Sequence, residues 1–475
     1  MSNQLPLVVD LDGTLLLTDT LHESALNLLR DSPQLFLMLP IWLARSKAYL
    51  KEKLAHNVSI SPETLPYNGE FLAYLSEQKS NGRSLILCTA ADRSIANRIA
   101  DYLKIFDEVI ASDGVQNLAG TNKAKVLESR FGKNGFDYAG NSSADFPVWA
   151  SAKNALVVNA SSSVLKKACK KFAVVKVFKQ ARGDFSVWRR VLRTHQWLKN
   201  ILLFVPLIVA HQLSDAEGWH ALILAFFSFS LCASTVYIVN DLLDLESDRI
   251  HPIKRMRPFA SGLVPIWIGV VLAPILLFAS FILSYRVGIE FSAWLTIYFA
   301  ITCIYSLVLK RIILIDCLTL AILYTLRIVA GAATVQHKLS FWLLAFSFFI
   351  FLSLAFVKRY AELEALRVRG IEKAHGRGYL TSDTGLIQNI GISSGQTAVL
   401  VFALYLNSDA VIKLYQRPEV IWGAIPLVLF WINWMWMQAN RGKMHDDPLV
   451  FAVKDPFSLA AAVVVALIIA AATIS

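Results

Sequence analysis

Two groups of acidic residues carry the chemistry legible in this sequence. In the first, VVDLDGT sets Asp10 and Asp12 just past an apolar, strand-like run, with Gly13 and Thr14 turning the chain. Phosphoryl transfer through a covalent aspartyl phosphate needs a carboxylate nucleophile and a nearby second carboxyl as acid and base. Alternate residues of a strand point to opposite faces, so the turn must swing Asp12 back toward the site. Carboxylates this close repel, and a Mg²⁺ ion would offset the repulsion. Three further elements follow in order. Thr89 ends SLILCTA, where its hydroxyl could hold a phosphoryl oxygen. Lys123, ahead of a helix, could neutralise the phosphate. Asn141 and Asp145, in AGNSSAD, could complete a metal site. Alone, the DLDGT turn also reads as a loop with solvated acids. The ordered partners are what point to phosphoryl chemistry.

The second group lies in VYIVNDLLDLESDRIHPIKRMRP. Asn240, Asp244 and Asp248 are spaced i, i+4, i+8, and Asp241 precedes Asp244 by three, so one helical face carries all four. Like charges at this spacing cost helix stability unless a cation bridges them. Mg²⁺ carrying a diphosphate suits the pattern, because it binds through one or two carboxylates plus substrate oxygens. Lys254, Arg255 and Arg257 follow and could hold further phosphate oxygens. Lys199, Lys358 and Arg359 lie at the ends of apolar segments, with Glu362 the nearest acid to the last two. The same three cations read as charged anchors beside membrane spans. Asp316 and Arg327 lie near one face of a single apolar segment, marking either function or a structural pair. Asp446, Asp447 and Asp455 make the last loop acidic, as a helix cap or part of a cavity mouth.

The elements that must position these residues fall into two regions, 1–182 and 183–475. In the first, LPLVVDL, SLILCTA, FDEVIAS, FDYAGNS, NALVVNA and AVVKVF alternate with amphipathic stretches. Strand and helix in alternation predict an α/β, Rossmann-like fold with a mostly parallel sheet, and Thr18 to Pro66 reads as a helical insertion. A basic connector, Lys179 to Arg193, leads into nine apolar segments at about 198–210, 219–239, 264–285, 289–309, 312–335, 341–357, 394–412, 419–438 and 457–475. Most approach the span of a bilayer, so this region is expected to be all-α and polytopic, with nine transmembrane helices. The N-terminus lacks the basic and apolar regions of a signal peptide, which places the first domain in the cytoplasm. With that end inside, the inner loops hold fifteen Lys and Arg against four outside, and the expected location is a multi-pass inner membrane protein. The net charge of +11 is then a property of membrane loops, and with no nucleic-acid motif it implies no nucleic-acid partner. The five cysteines form no CxxC pair, which favours buried thiols over disulfides or zinc.

The order Asp10, Asp12, Thr89, Lys123, Asn141, Asp145 resembles the haloacid dehalogenase superfamily over roughly residues 5–178. That implies Asp10 as nucleophile, Asp12 as acid and base, and Mg²⁺ on Asp10, Asn141 and Asp145. The family usually has Asp where this chain has Asn141, a weaker ligand. Residues 190–475 resemble the UbiA superfamily, carried by Asn-Asp-x-x-Asp-x-x-x-Asp after a span. RTHQWLKN, with Lys199, and VKRYAELEAL, with Lys358, Arg359 and Glu362, sharpen the match to its decaprenyl-phosphate phosphoribosyltransferase branch. The quinone and haem branches carry a second Asp-rich motif where this chain has Lys358 and Arg359. The resemblance implies transfer of 5-phosphoribose from phosphoribosyl diphosphate to a polyprenyl phosphate, with Mg²⁺ on Asp241, Asp244 and Asp248 and substrate held by Lys199, Asn240, Lys254, Arg255, Arg257, Lys358, Arg359 and Glu362. A polyprenyltransferase using a prenyl diphosphate, and a non-catalytic transporter or scaffold for a phosphorylated lipid, are the rival readings.

Overall fold

The computed structural model describes residues 4–179, 184–210, 212–373, 377–408, 415, 417–444 and 447–473. Part of the basic connector, 180–183, and Asp446 lie outside the described residues. Two compact units are present. One comprises Met1–Leu192 with Tyr237–Ala273, and the other Arg193–Val236 with Pro274–Ser475.

All six expected strands form in the first unit: β1 (Leu7–Val9), β2 (Leu85–Asp92), β3 (Glu108–Ser112), β4 (Asp137–Gly140), β5 (Ala155–Val158) and β6 (Val174–Phe178). They pair in parallel, in the order β3-β2-β1-β4-β5-β6. Residues of alternating parity feed two cores. Leu7, Val9, Leu85 and Leu87 enter one, and Val8, Ile86 and Cys88 the other, as a sheet covered on both faces requires. The strand order reverses between β1 and β4, and in open α/β sheets a crevice opens at such a switch, beyond the carboxyl ends of the strands. The insertion after β1 is helical, with Thr20–Asp31, Pro33–Phe36, Leu39–Arg45 and Lys47–Asn57. The Asp19 side chain caps the first of these through Leu21 N.

The remainder is helical. Among the described residues eight helices are long and apolar enough to cross a membrane: Ala216–Leu243, Ile266–Val287, Ile289–Leu307, Ile315–Thr334, Phe341–Val368, Thr381–Leu406, Pro418–Asn440 and Pro456–Thr473. The first of the nine expected segments is not one long helix. It is a 3₁₀ stretch, Thr194–Phe204, followed by a short helix, Val205–Val209. Pro206 has no amide proton to donate at this junction, which suits the first turn of a new helix rather than the middle of a long one. The single helical face expected through Asp248 is also interrupted. Asp244 (φ −98°, ψ 12°) leaves helical geometry, and a second helix, Leu245–Ile250, begins after it.

Candidate functional site

In the first unit the sheet brings Asp10, Thr89, Lys123, Asn141 and Asp145 to one end. Asp10 follows β1, Thr89 lies in β2 and Asn141 follows β4. Lys123 Nζ donates to Asp10 Oδ1 at 2.7 Å and to the Tyr138 hydroxyl at 2.9 Å. That hydroxyl donates to Asp145 Oδ1 at 2.9 Å. Tyr138 therefore links lysine and carboxylate, a role the sequence reading missed. Its signal was position: with β1 giving way to a loop at Asp10, an inward side chain near the end of β4 must reach the same crevice. Asp145 Oδ2 accepts from the amides of Asn141 and Ser142, each at 3.0 Å, so Asp145 also shapes its own loop.

Burial, set against the attraction of Lys123, pushes the Asp10 carboxyl up to about 6. Burial and then Asp19 push Asp12 up to about 7, although both its oxygens accept from Thr20, at 2.8 Å from the amide and 3.2 Å from the hydroxyl. A carboxyl held near neutrality can act as acid and base. Thr89 is buried, and its Oγ1 accepts from Ala91 N at 3.0 Å, leaving its own proton to donate. Gly13 (φ +73°) is required twice: the backbone is left-handed, and a Cβ there would lie 2.0 Å from Asn141 Nδ2. Lys51, from the insertion, was also missed. It donates to Ala90 O at 2.6 Å, beside Thr89, and burial lowers its ammonium.

Among the described residues no three His, Cys, Asp or Glu side chains gather as a metal cluster. The donors at this crevice, the Asp10 carboxylate and the Asn141 amide oxygen, are hard oxygens. Their small number fits Mg²⁺, which usually keeps several waters.

The second acidic group lies on a short stretch of the same unit. Arg257 Nη1 donates to Asp241 Oδ1 at 3.1 Å and to Asp248 Oδ2 at 2.5 Å. The two carboxylates, each 2% exposed, thus share one cationic nitrogen, and a divalent cation could be shared in the same way. Burial raises the Asp248 carboxyl, and Arg257 opposes the rise. Asn240 and Asp244 are half-buried and flank this pair in sequence, and Lys254 and Arg255 are exposed beside it on a 3₁₀ turn.

In the second unit the cations separate by environment. Lys199 Nζ lies 2.7 Å, and Lys358 Nζ 3.2 Å, from Asp447 Oδ2. The Tyr324 hydroxyl donates to Asp447 Oδ1 at 2.9 Å. Burial alone would raise the Asp447 carboxyl, but Lys199 and then Lys358 hold it well below the usual carboxylate range. Asp447 also caps the helix Pro448–Lys454 through Leu449 N. Asp447, Lys358 and Tyr324 line one small recess. Arg359 lies elsewhere. It is wholly buried, with Nη2 2.6 Å from the equally buried Asp316 Oδ2, and it also pairs with Glu362. Arg377 and the Tyr379 hydroxyl complete that cluster on Asp316. Asp316 and Arg327 do not pair, because Arg327 donates instead to Asn200, Tyr298 and Leu323 O.

Comparison with known proteins adds family to geometry. Residues 201–462 match the UbiA prenyltransferase family, and residues 7–149 match haloacid dehalogenase-like hydrolase. An uncharacterized protein of Sinorhizobium fredii, y4nM, is 36% identical over 96% of this chain and 88% of its own. Nodulation protein NoeC of Azorhizobium caulinodans is 37% identical, covering 59% of this chain and 91% of its own. Decaprenyl-phosphate phosphoribosyltransferase of Mycolicibacterium smegmatis is 34% identical, covering 56% of this chain and 86% of its own.

Proposed function

The chain belongs to the UbiA prenyltransferase family and carries an N-terminal haloacid dehalogenase-like domain, and from that premise we propose that it transfers 5-phosphoribose from phosphoribosyl diphosphate to a polyprenyl phosphate and then removes the ribose 5-phosphate. The observation that carries the first step is the gathering of Lys199 and Lys358 on Asp447. Lysines, rather than a second Asp-rich motif, suit an acceptor that is itself a phosphate. The similarity to decaprenyl-phosphate phosphoribosyltransferase supports the same choice over a prenyl diphosphate donor.

In this reading Asp241, Asp244 and Asp248 are the metal ligands, and Lys254, Arg255 and Arg257 bind the diphosphate oxygens. Mg²⁺, when bound there, supplies charge stabilisation to the departing pyrophosphate. Positive charge develops at ribosyl C1, and the lipid phosphate oxygen attacks it. The acceptor is already ionised, so no general base is required. Lys199 and Lys358 orient that phosphate, and electrostatic stabilisation by fixed charges carries most of the acceleration. Asn240 adjoins Asp241 in sequence and belongs with the diphosphate-binding residues, whereas Arg359 and Glu362 are committed to the Asp316 cluster.

In the second step Asp10 attacks the 5-phosphate, and Asp12 protonates the leaving ribose hydroxyl. Thr89 and Lys123 hold the transferred phosphoryl group; Asp10 and Asn141 would hold Mg²⁺, with Asp145 shaping the loop that presents Asn141. Water then releases inorganic phosphate. The raised carboxyl of Asp12 favours the acid role. The domain 1–182 and the active-site residues of the membrane-spanning domain 183–475 are assigned to the cytoplasmic side of an inner membrane, on the asymmetry of Lys and Arg with the first apolar segment counted as crossing.

The test is mass spectrometry of the lipids that purified protein makes from a polyprenyl phosphate and phosphoribosyl diphosphate. A polyprenyl-phosphoribose, with pyrophosphate and phosphate released, is expected. Product only from a labelled prenyl diphosphate would move the chain to the polyprenyltransferases, and no product from either donor would favour a carrier or scaffold.

A further inference from the structure

The loop that carries Asp248 is anchored to the soluble domain by a buried ion pair. Glu23, one turn into the helix Thr20–Asp31, is 4% exposed. Its Oε1 accepts from Arg249 Nη2 at 2.5 Å and its Oε2 from Nη1 at 3.2 Å. Thr18 Oγ1 donates to the same Oε1 at 2.7 Å. The third guanidinium nitrogen, Arg249 Nε, donates to Ala260 O at 3.0 Å and so ties down the far end of the loop. Nearby, Gly262 (φ +73°) lies against Leu17, where a Cβ would sit 2.9 Å from the carbonyl oxygen. Arg30 and Glu246 form an outer, more exposed pair at 3.1 Å. All these residues belong to one compact unit, Met1–Leu192 with Tyr237–Ala273.

A fork-to-fork pair of this kind fixes orientation as well as distance. Left apart, Glu23 and Arg249 would each be a buried charge without its partner, an arrangement costing several kcal/mol. Arg249 adjoins Asp248, whose carboxylate already converges with that of Asp241. Partners one step removed from a metal ligand typically change metal affinity 10- to 100-fold when lost.

We propose that Glu23 is a positioning residue for the Asp241–Asp248 loop: the soluble domain, through Glu23 and Arg249, holds that loop in its metal- and diphosphate-binding shape. The inference rests on the reading that this loop receives a diphosphate. It adds that the soluble domain serves the transferase structurally, apart from any chemistry at Asp10.

The test uses the full chain in nanodiscs with Glu23→Gln, Arg249→Gln, the exchange Glu23→Arg with Arg249→Glu, and Arg30→Gln for comparison. Two quantities are measured: hydrogen–deuterium exchange of peptides covering 241–262, and the Mg²⁺ concentration that half-activates pyrophosphate release from phosphoribosyl diphosphate. Glu23→Gln and Arg249→Gln should each speed exchange in that segment at least tenfold and raise the Mg²⁺ requirement about tenfold. The exchanged pair should recover much of both, and Arg30→Gln should change neither by more than about threefold, as for an exposed pair. Unchanged exchange in both single variants overturns the proposal. So does an equal effect from Arg30→Gln, or an exchanged pair as loose as the singles. If wild type releases no pyrophosphate, the transferase reading fails, while the exchange measurement still decides whether Glu23 holds the loop. Should Glu23→Gln fail to fold, Arg249→Gln asks the same question from the loop side.

Discussion

Lys199 Nζ lies 2.7 Å from the carboxylate of Asp447, a residue from the opposite end of the membrane-spanning sequence. With Lys358 on the same oxygen, one buried acid holds two ammonium groups. The acid fixes the two ammonium groups side by side.

Asp447→Asn should leave the lysines facing each other across a neutral amide. Removing one member of a buried pair typically costs about 3 kcal/mol or more. A lower melting temperature in detergent is expected, together with a higher KM for the polyprenyl phosphate. A variant that melts with wild type and keeps its KM would remove Asp447 from the site.

Asp248→Asn and Asp241→Asn should each reduce pyrophosphate release by on the order of 10²-fold, as for loss of one charge-stabilising group. Each leaves Arg257 one carboxylate, so the loop should persist. Circular dichroism and turnover measured side by side decide this. Near-normal turnover in both variants is incompatible with a metal site there.

Lys358 and Arg359 adjoin in sequence but should behave oppositely. Arg359→Met removes half of a wholly buried pair with Asp316, so about 3–5 kcal/mol of stability should be lost. The Lys358 side chain is 36% exposed, so Lys358→Met should change stability by less than about 1 kcal/mol while raising KM for the anionic substrate. Equal melting temperatures for the two variants would contradict the assigned environments.

Asp10→Asn removes the proposed nucleophile and keeps the hydrogen bond from Lys123. Purified variant should accumulate the 5-phosphorylated lipid and release no inorganic phosphate, while pyrophosphate release continues. Identical lipids from variant and wild type, with no phosphate from either, would leave only the transferase.

What the sequence determined by itself was local. Two-residue alternation in Leu7–Val9 and Leu85–Cys88 assigned side chains to the two sheet faces, because a strand has no other period. Apolar length marked the spans, because a bilayer admits little else. Helical spacing grouped Asp241 with Asp248, although the helix breaks at Asp244 between them and Arg257 is what joins the two carboxylates. Tertiary structure decided the rest. Lys358 and Arg359 read alike in sequence, yet only packing shows that one lines a recess and the other is sealed against Asp316. Asp447 read only as a helix cap or part of a cavity mouth until the fold brought Lys199 and Lys358 to it. Tyr138 and Glu23 were unremarked for the same reason. Periodicity tells a side chain which face it occupies. The partner of a buried charge is chosen by the cost of leaving that charge unpaired, and that cost exists only once distant segments have packed.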